Sequence, residues 1–270
     1  MFTVVVVVPP FSIQFSTEAL KDILPGLAVP FASLTFRLQK LEDKVYVMYE
    51  ASNRIHVYDI SNPFYILEEF FVKELKSPYD VAACSTSNCL YVSDLESLCI
   101  WKIAPSDRQA TLWSSVIGKP YTISVLSDGR VIIPRDGKPS SVEIYTSDAV
   151  LIEVAWLPEE IQHPMRVVET PTGSFTVLHR CINTSSVVLS VVAKNGNTVN
   201  RFTSGDKGVL LSDGCGLSIM ADEDDIDDFE VVATDCDNSK IIVFDSELKT
   251  LKFMNSDGTT YRDDNSDTEQ

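Results

Sequence analysis

The sequence predicts an all-β fold, a β-propeller of four-stranded blades, and three observations carry that expectation. Residues 78 to 116 hold four short runs rich in β-branched and aromatic residues, at 78–84, 89–94, 97–103 and 110–116, each closed by turn-forming residues, as in a four-stranded meander. The unit recurs: Pro120-Tyr121-Thr122-Ile123 opens another copy 42 residues on, and Pro164-Met165-Arg166-Val167 a third after 44 more. One small twisted sheet cannot bury both of its faces, so repeats of this length stack on one another about an axis. Five repeats fill residues 31 to 256, and the valine run at 4–8 is a strand without a repeat of its own. Six blades are therefore expected, with residues 1 to 30 supplying a closing strand; five blades are the alternative.

Taken in order, residues 1 to 30 begin with the valine run, stopped by Pro9-Pro10, and residues 17–24 read as a short helix capped by Thr17 and ended by Pro25-Gly26. The first blade, 31–72, holds strands at 44–49, 53–60 and 65–72. The second is 73–116. The third, 117–160, turns at Asp128-Gly129, where glycine supplies the positive φ of a tight hairpin, and continues through 131–133, 142–145 and 150–157. The fourth, 161–204, turns at Pro171-Thr172-Gly173 and at Asn195-Gly196. The fifth, 205–256, holds strands at 217–220, 230–235, 240–244 and 250–254, with the acidic run at 222–228 expected as a solvated surface loop. The composition of 257–270 predicts a disordered acidic tail.

An apolar fraction of 44% suffices for a core, whereas a net charge of −17 is unusual. Residues 220–230 hold seven acids, and 257–270 five acids against Arg262. Such a field repels phosphate backbones and anionic lipid surfaces, which disfavours nucleic acid and membranes as partners. The amino terminus has no basic leader or cleavage site and falls short of the roughly 20 residues that span a bilayer, so a soluble cytoplasmic protein is expected. Six cysteines without Cys-x-x-Cys spacing predict reduced, packed thiols rather than disulfides or a metal site, with Cys84, Cys89 and Cys99 close together.

Ser77-Pro78-Tyr79-Asp80-Val81-Ala82, followed by Asn88-Cys89-Leu90-Tyr91-Val92-Ser93-Asp94 and Cys99-Ile100-Trp101-Lys102, resembles the NHL repeat. The stretch from Val231 through Asp235 to Phe244 echoes it, and so does Asn53-Arg54-Ile55-His56-Val57-Tyr58. The resemblance covers most of 31–255 and weakens in the third and fourth blades. It implies a six-bladed, TolB-like interaction platform, of the kind found at the end of tripartite-motif ubiquitin ligases, where partner proteins or RNA are bound. The chain has no RING or B-box spacing and no coiled-coil heptads, so ligase chemistry would belong to another polypeptide or segment.

The repeat register places one residue per blade at the end of the second strand, on the face expected to hold a ligand: Tyr49, Asp94, Arg135, His179 and Asp235. Arg180 and Asp136 follow two of these, and the loops that lead into first strands add Lys119 and His163. Aspartates at this register commonly cap a loop by accepting backbone N–H groups, which is the expectation for Asp94 and Asp235. Arg135 and His179 depart from that pattern and are the preferred partner contacts. No nucleophile elbow, phosphate loop or metal-ligand spacing is present, so no catalytic residue, metal or cofactor is assigned. The expectation is a non-enzymatic propeller whose partner is a protein or peptide. The rival is a calcium-dependent six-bladed hydrolase of the gluconolactonase or paraoxonase type, which needs acidic and amide side chains from several first strands. Those strands offer only Asp80 and Arg166 as charged groups.

Overall fold

The computed structural model describes residues 3–8, 11–16, 36–49, 52–59, 62–115, 119–181, 186–205, 211, 216–222, 225–235, 240–249, 251–254 and 260–261. Every regular element in them is a strand. The fold is a β-propeller of four-stranded blades, and the described residues hold five blades, not the six expected from sequence. The valine run forms β1 (Thr3–Val8), which pairs with β2 (Phe11–Ser16) in a sheet of only two strands. It turns back on its immediate successor instead of completing a four-stranded sheet. The helix expected at 17–24 lies outside the described residues.

The chain divides into two compact units. One comprises residues 16–134 and 143–154. It holds the blade β3 (Phe36–Leu41), β4 (Lys44–Tyr49), β5 (Arg54–Asp59) and β6 (Asn62–Phe71). It also holds the blade β7 (Pro78–Cys84), β8 (Cys89–Asp94), β9 (Cys99–Ala104) and β10 (Gln109–Ser115). The next sheet is β11 (Ser124–Val125), β12 (Val131–Arg135), β13 (Ser141–Tyr145) and β14 (Leu151–Trp156). In each blade consecutive strands are antiparallel neighbours, as short tight connections require.

Strand β8 shows why these residues stack sheets. All six are buried, because a strand with a sheet against each face has no solvent side. Leu90 and Val92 pack with Tyr46, Met48, Ile55 and Val57 of the first blade, while Cys89 and Tyr91 point the other way, against Trp113, Ile123, Val131 and Ile133. Period-two alternation thus feeds two cores from one strand. The hairpin between β11 and β12 turns at Gly129, whose φ of +87° is the conformation that Asp-Gly was expected to supply. One carbonyl ties blade to blade here: the Ser147 oxygen accepts from Trp113 Nε1 at 2.8 Å and from the Tyr91 hydroxyl at 3.2 Å.

The other unit comprises residues 1–15, 135–142 and 155–270. Its blades are β15 (Ile161–Glu169), β16 (Phe175–Cys181), β17 (Val187–Val192) and β18 (Thr198–Thr203), then β19 (Leu217–Asp222), β20 (Asp225–Asp235), β21 (Lys240–Asp245), β22 (Leu251–Met254) and β23 (Thr260–Tyr261). The same alternation recurs in β20 and β21, where Val231, Ala233, Ile242 and Phe244 enter one core and Val232, Ile241 and Val243 another. One expectation changes in this unit. Acidic residues 225–228 belong to the start of β20, where Asp225 pairs with Asp222 across a register shift, so the strand extends past its apolar part. Residues 260–261 pair with Phe253 and Met254 as a fifth strand; residues 262–270 lie outside the described ones.

The repeat shows in the registers. Pro78 faces Asp94 across β7 and β8, and Pro164 faces His179 across β15 and β16, each beside an irregularity in the first strand. Pro120 lies four residues before the start of β11, so the corresponding stretch of the middle blade enters as coil.

Candidate functional site

Second-strand ends bring the expected residues to corresponding places, but their surroundings differ. Tyr49, Asp94, Arg135 and Asp235 each close a strand, and His179 lies two residues from the end of β16. Tyr49 is buried, its ring edge-on to His56 at 5.3 Å. Burial first, and then the neighbouring Tyr58 phenol, push its hydroxyl far above the usual tyrosine range. Asp94 is fully buried. Its carboxylate accepts the backbone N–H of Lys76 at 2.6 Å, of Ser77 at 3.2 Å, of Glu96 at 3.1 Å and of Ser97 at 2.9 Å. It stitches the segment before β7 to the β8–β9 turn, and no oxygen faces a partner. Asp235 pairs with Lys240 across β20 and β21.

His179 requires a correction. It was expected as a surface contact, yet it is completely buried, its ring turned to Ser190 on the neighbouring strand β17. Nε2 lies 2.9 Å from Ser190 Oγ and Nδ1 lies 3.1 Å from the Arg180 carbonyl oxygen. Burial lowers its pKa, the Arg180 carbonyl pulls the other way, and the neutral ring is favoured. With both nitrogens engaged inside the protein, the residue is not a partner contact.

The remaining candidates are accessible. Lys119 and Arg180 are exposed and Arg135 is half-buried. His163, at a φ of +48°, places Nδ1 2.7 Å from Asp136 Oδ2, both side chains being open to solvent. Among the described residues no group of three or more His, Cys, Asp or Glu is placed to hold a metal ion.

The sequence reading missed a cluster at the first-strand ends of the unit built from residues 16–134 and 143–154. Tyr79, in the irregularity of β7, meets Tyr121 edge-on with ring centroids 5.7 Å apart, and the Arg37 guanidinium lies 5.6 Å from the Tyr79 ring centre. Tyr121 is 43% exposed, a large fraction for an aromatic ring. Beneath them Asp80, 1% exposed, is held by Arg37 Nε at 3.4 Å and accepts the Ile123 N–H at 3.0 Å. Its backbone N–H donates to Ser93 Oγ at 3.0 Å. Asp80 therefore joins β3, β7 and the segment leading into β11. The acid that a channel calcium would need is occupied by a guanidinium and an amide. The signal in the sequence was the Pro-Tyr pair repeated at 78–79 and 120–121, which marks the repeat but does not say that the two rings touch.

No protein-family model matches the chain, and no curated protein does. Solved structures do. Hydrazine synthase of Kuenenia stuttgartiensis aligns with a TM-score of 0.57 at 13% identity, over 86% of this chain and 69% of that one. A protein of unknown function from Bacteroides caccae aligns with a TM-score of 0.55 at 16% identity, over 78% and 72%. A chain of a nidogen/laminin complex aligns with a TM-score of 0.58 at 11% identity, over 80% and 77%. At these identities the likeness is one of fold, and that fold is the β-propeller. Among the described residues no helix is long and apolar enough to cross a membrane.

Proposed function

We propose that the chain is a non-enzymatic binding propeller whose partner is a protein or peptide, engaged through the cluster of Tyr79, Tyr121 and Arg37 with Lys119 beside it. The observation that carries this reading is the exposed Tyr121 ring standing on Tyr79 over a buried, fixed Asp80. Tyrosine and arginine on rigid strands are the residues that dominate protein interfaces, since they bury much area while losing little freedom. One structural neighbour is a nidogen/laminin complex, an assembly of proteins, which agrees with the reading. Arg135, His163 and Arg180 are a second proposed contact group, within the other unit. The NHL resemblance carries the reading further, to the partner-binding part of a ubiquitin-ligase-type assembly in the cytoplasm.

Proximity labelling and pull-down with the whole chain test this. Tyr121→Ala and Lys119→Ala are each expected to reduce capture of the partner at least tenfold while circular dichroism stays unchanged. Capture undiminished by Tyr121→Ala overturns the assignment. A calorimetric calcium titration separates the hydrolase rival: micromolar binding favours it.

A further inference from the structure

Cys84 ends β7 and Cys89 opens β8, and the ladder pairs the two directly across their hairpin. Both side chains are buried, yet the turn joining them, residues 85–88, is exposed throughout. The Ser87 hydroxyl in that turn lies 3.1 Å from the Cys84 sulfur and 3.1 Å from the Cys89 sulfur, so the two sulfurs border one oxygen. Directly opposed residues of an antiparallel pair have Cα atoms about 4.5 to 5.5 Å apart, inside the roughly 4.4 to 6.8 Å that a disulfide spans. Cys99, expected beside them, is opposite Asp94 at the far end of β8 and takes no part. Both thiols are free.

We propose that Cys84 and Cys89 form a redox modification site that closes to a cross-strand disulfide when a hydroperoxide reaches it. One sulfur, as thiolate, attacks the peroxide; the O–O bond breaks, the sulfur keeps one oxygen as a sulfenic acid, and the other oxygen leaves as hydroxide and is protonated to water. The second thiolate then attacks the sulfenic sulfur, the S–S bond forms, the S–O bond breaks, and a second water leaves. Two thiols have lost two electrons and two protons, and one hydrogen peroxide has become two waters. The Ser87 hydroxyl that borders both sulfurs belongs to the exposed turn, which is the side from which a peroxide would approach.

The surroundings set the pace. Burial raises the Cys89 thiol above its ordinary range, against the pull of Ser87, Tyr91 and Lys102, so little thiolate exists at neutral pH and the pair rests reduced. Closure would also fix the turn that reaches the following blade, where Thr86 Oγ1 donates to the Ser127 carbonyl at 3.3 Å.

The test treats the reduced whole chain with hydrogen peroxide, blocks the remaining thiols and maps the peptides by mass spectrometry. The expected product has lost two titratable thiols and yields a linked peptide joining Cys84 to Cys89. It forms several-fold faster at about pH 9 than at about pH 7, since more thiolate is present. The link is absent from Cys84→Ser and from Cys89→Ser and persists in Cys99→Ser. Recovery of both residues as free thiols or as separate sulfinic acids overturns the proposal, and so does Cys89 linked to any other cysteine.

Discussion

At the scale of single residues, Asp94 and His179 occupy one register with opposite chemistry. The Asp94 carboxylate is the acceptor for four backbone N–H groups in part-buried hydrogen bonds, and all four lose their shared partner when it is removed. Asp94→Ala is therefore expected to lower stability to urea by about 3 kcal/mol, and Asp94→Asn, which keeps one acceptor oxygen, by about half of that. An unchanged denaturation midpoint for the alanine variant would show that the amides find other partners. His179 does the reverse: burial favours its uncharged form. Its folded pKa lies below the unfolded value of about 6.5, so below that pH the unfolded chain binds more protons and stability falls. The slope from this group reaches at most about 1.4 kcal/mol per pH unit. His56, also lowered by burial, adds the same sign. His179→Gln should flatten the loss between about pH 6.5 and about pH 5. A loss as steep as in the parent chain would mean that the ring is solvated.

The element scale is where a strand or a turn is joined to the next blade. The Ser147 carbonyl is approached by Trp113 Nε1, by the Tyr91 hydroxyl and, at 3.5 Å, by Lys102 Nζ. Trp113 also stands edge-on to Tyr91 and Tyr145, at 5.2 and 5.6 Å. Trp113→Phe keeps an aromatic ring but removes the donor and part of the volume, and is expected to cost about 2 kcal/mol in thermal or chemical unfolding. A loss below about 0.5 kcal/mol would show that this joint contributes little. Strands such as β8 and turns such as Asp128-Gly129 were legible in the sequence because apolar alternation and a positive φ are local demands. Exposure at strand ends was not. A register says that Asp94 and His179 end second strands, but residues 76–77 and 96–97 fold over the first, and the ring of the second turns inward to Ser190. The acidic stretch 225–228 misled for a related reason, since charge predicts solvation of side chains and says nothing about whether the strand continues through them, as it does to Asp225. Tyr79 and Tyr121 were visible only as repeat markers, because contact between rings 42 positions apart depends on how blades stack.

For the whole molecule, the charge of −17 acts on every element, and it is concentrated. The β19–β20 hairpin carries acids on both arms, with Asp222 paired to Asp225 in register, and like charges opposed across a ladder destabilise it. Surface ion pairs such as Lys249 with Glu247 and Lys252 with Glu230 offset little of this, being exposed or half-exposed and worth about 0 to 1 kcal/mol each. Repulsion distributed over many acids is therefore expected to outweigh short-range pairs of this kind. Raising sodium chloride from about 0.1 M to about 1 M shortens the screening length from about 10 Å to about 3 Å, which weakens the distributed term more than contacts at bonding distance. The melting temperature is expected to rise by a few degrees over that range. Amide exchange should slow more in the β19–β20 hairpin than in β8, whose surroundings are apolar. A melting temperature that falls with salt would mean that close ion pairs dominate, and uniform slowing across both strands would mean that the acidic hairpin is not where the repulsion is held.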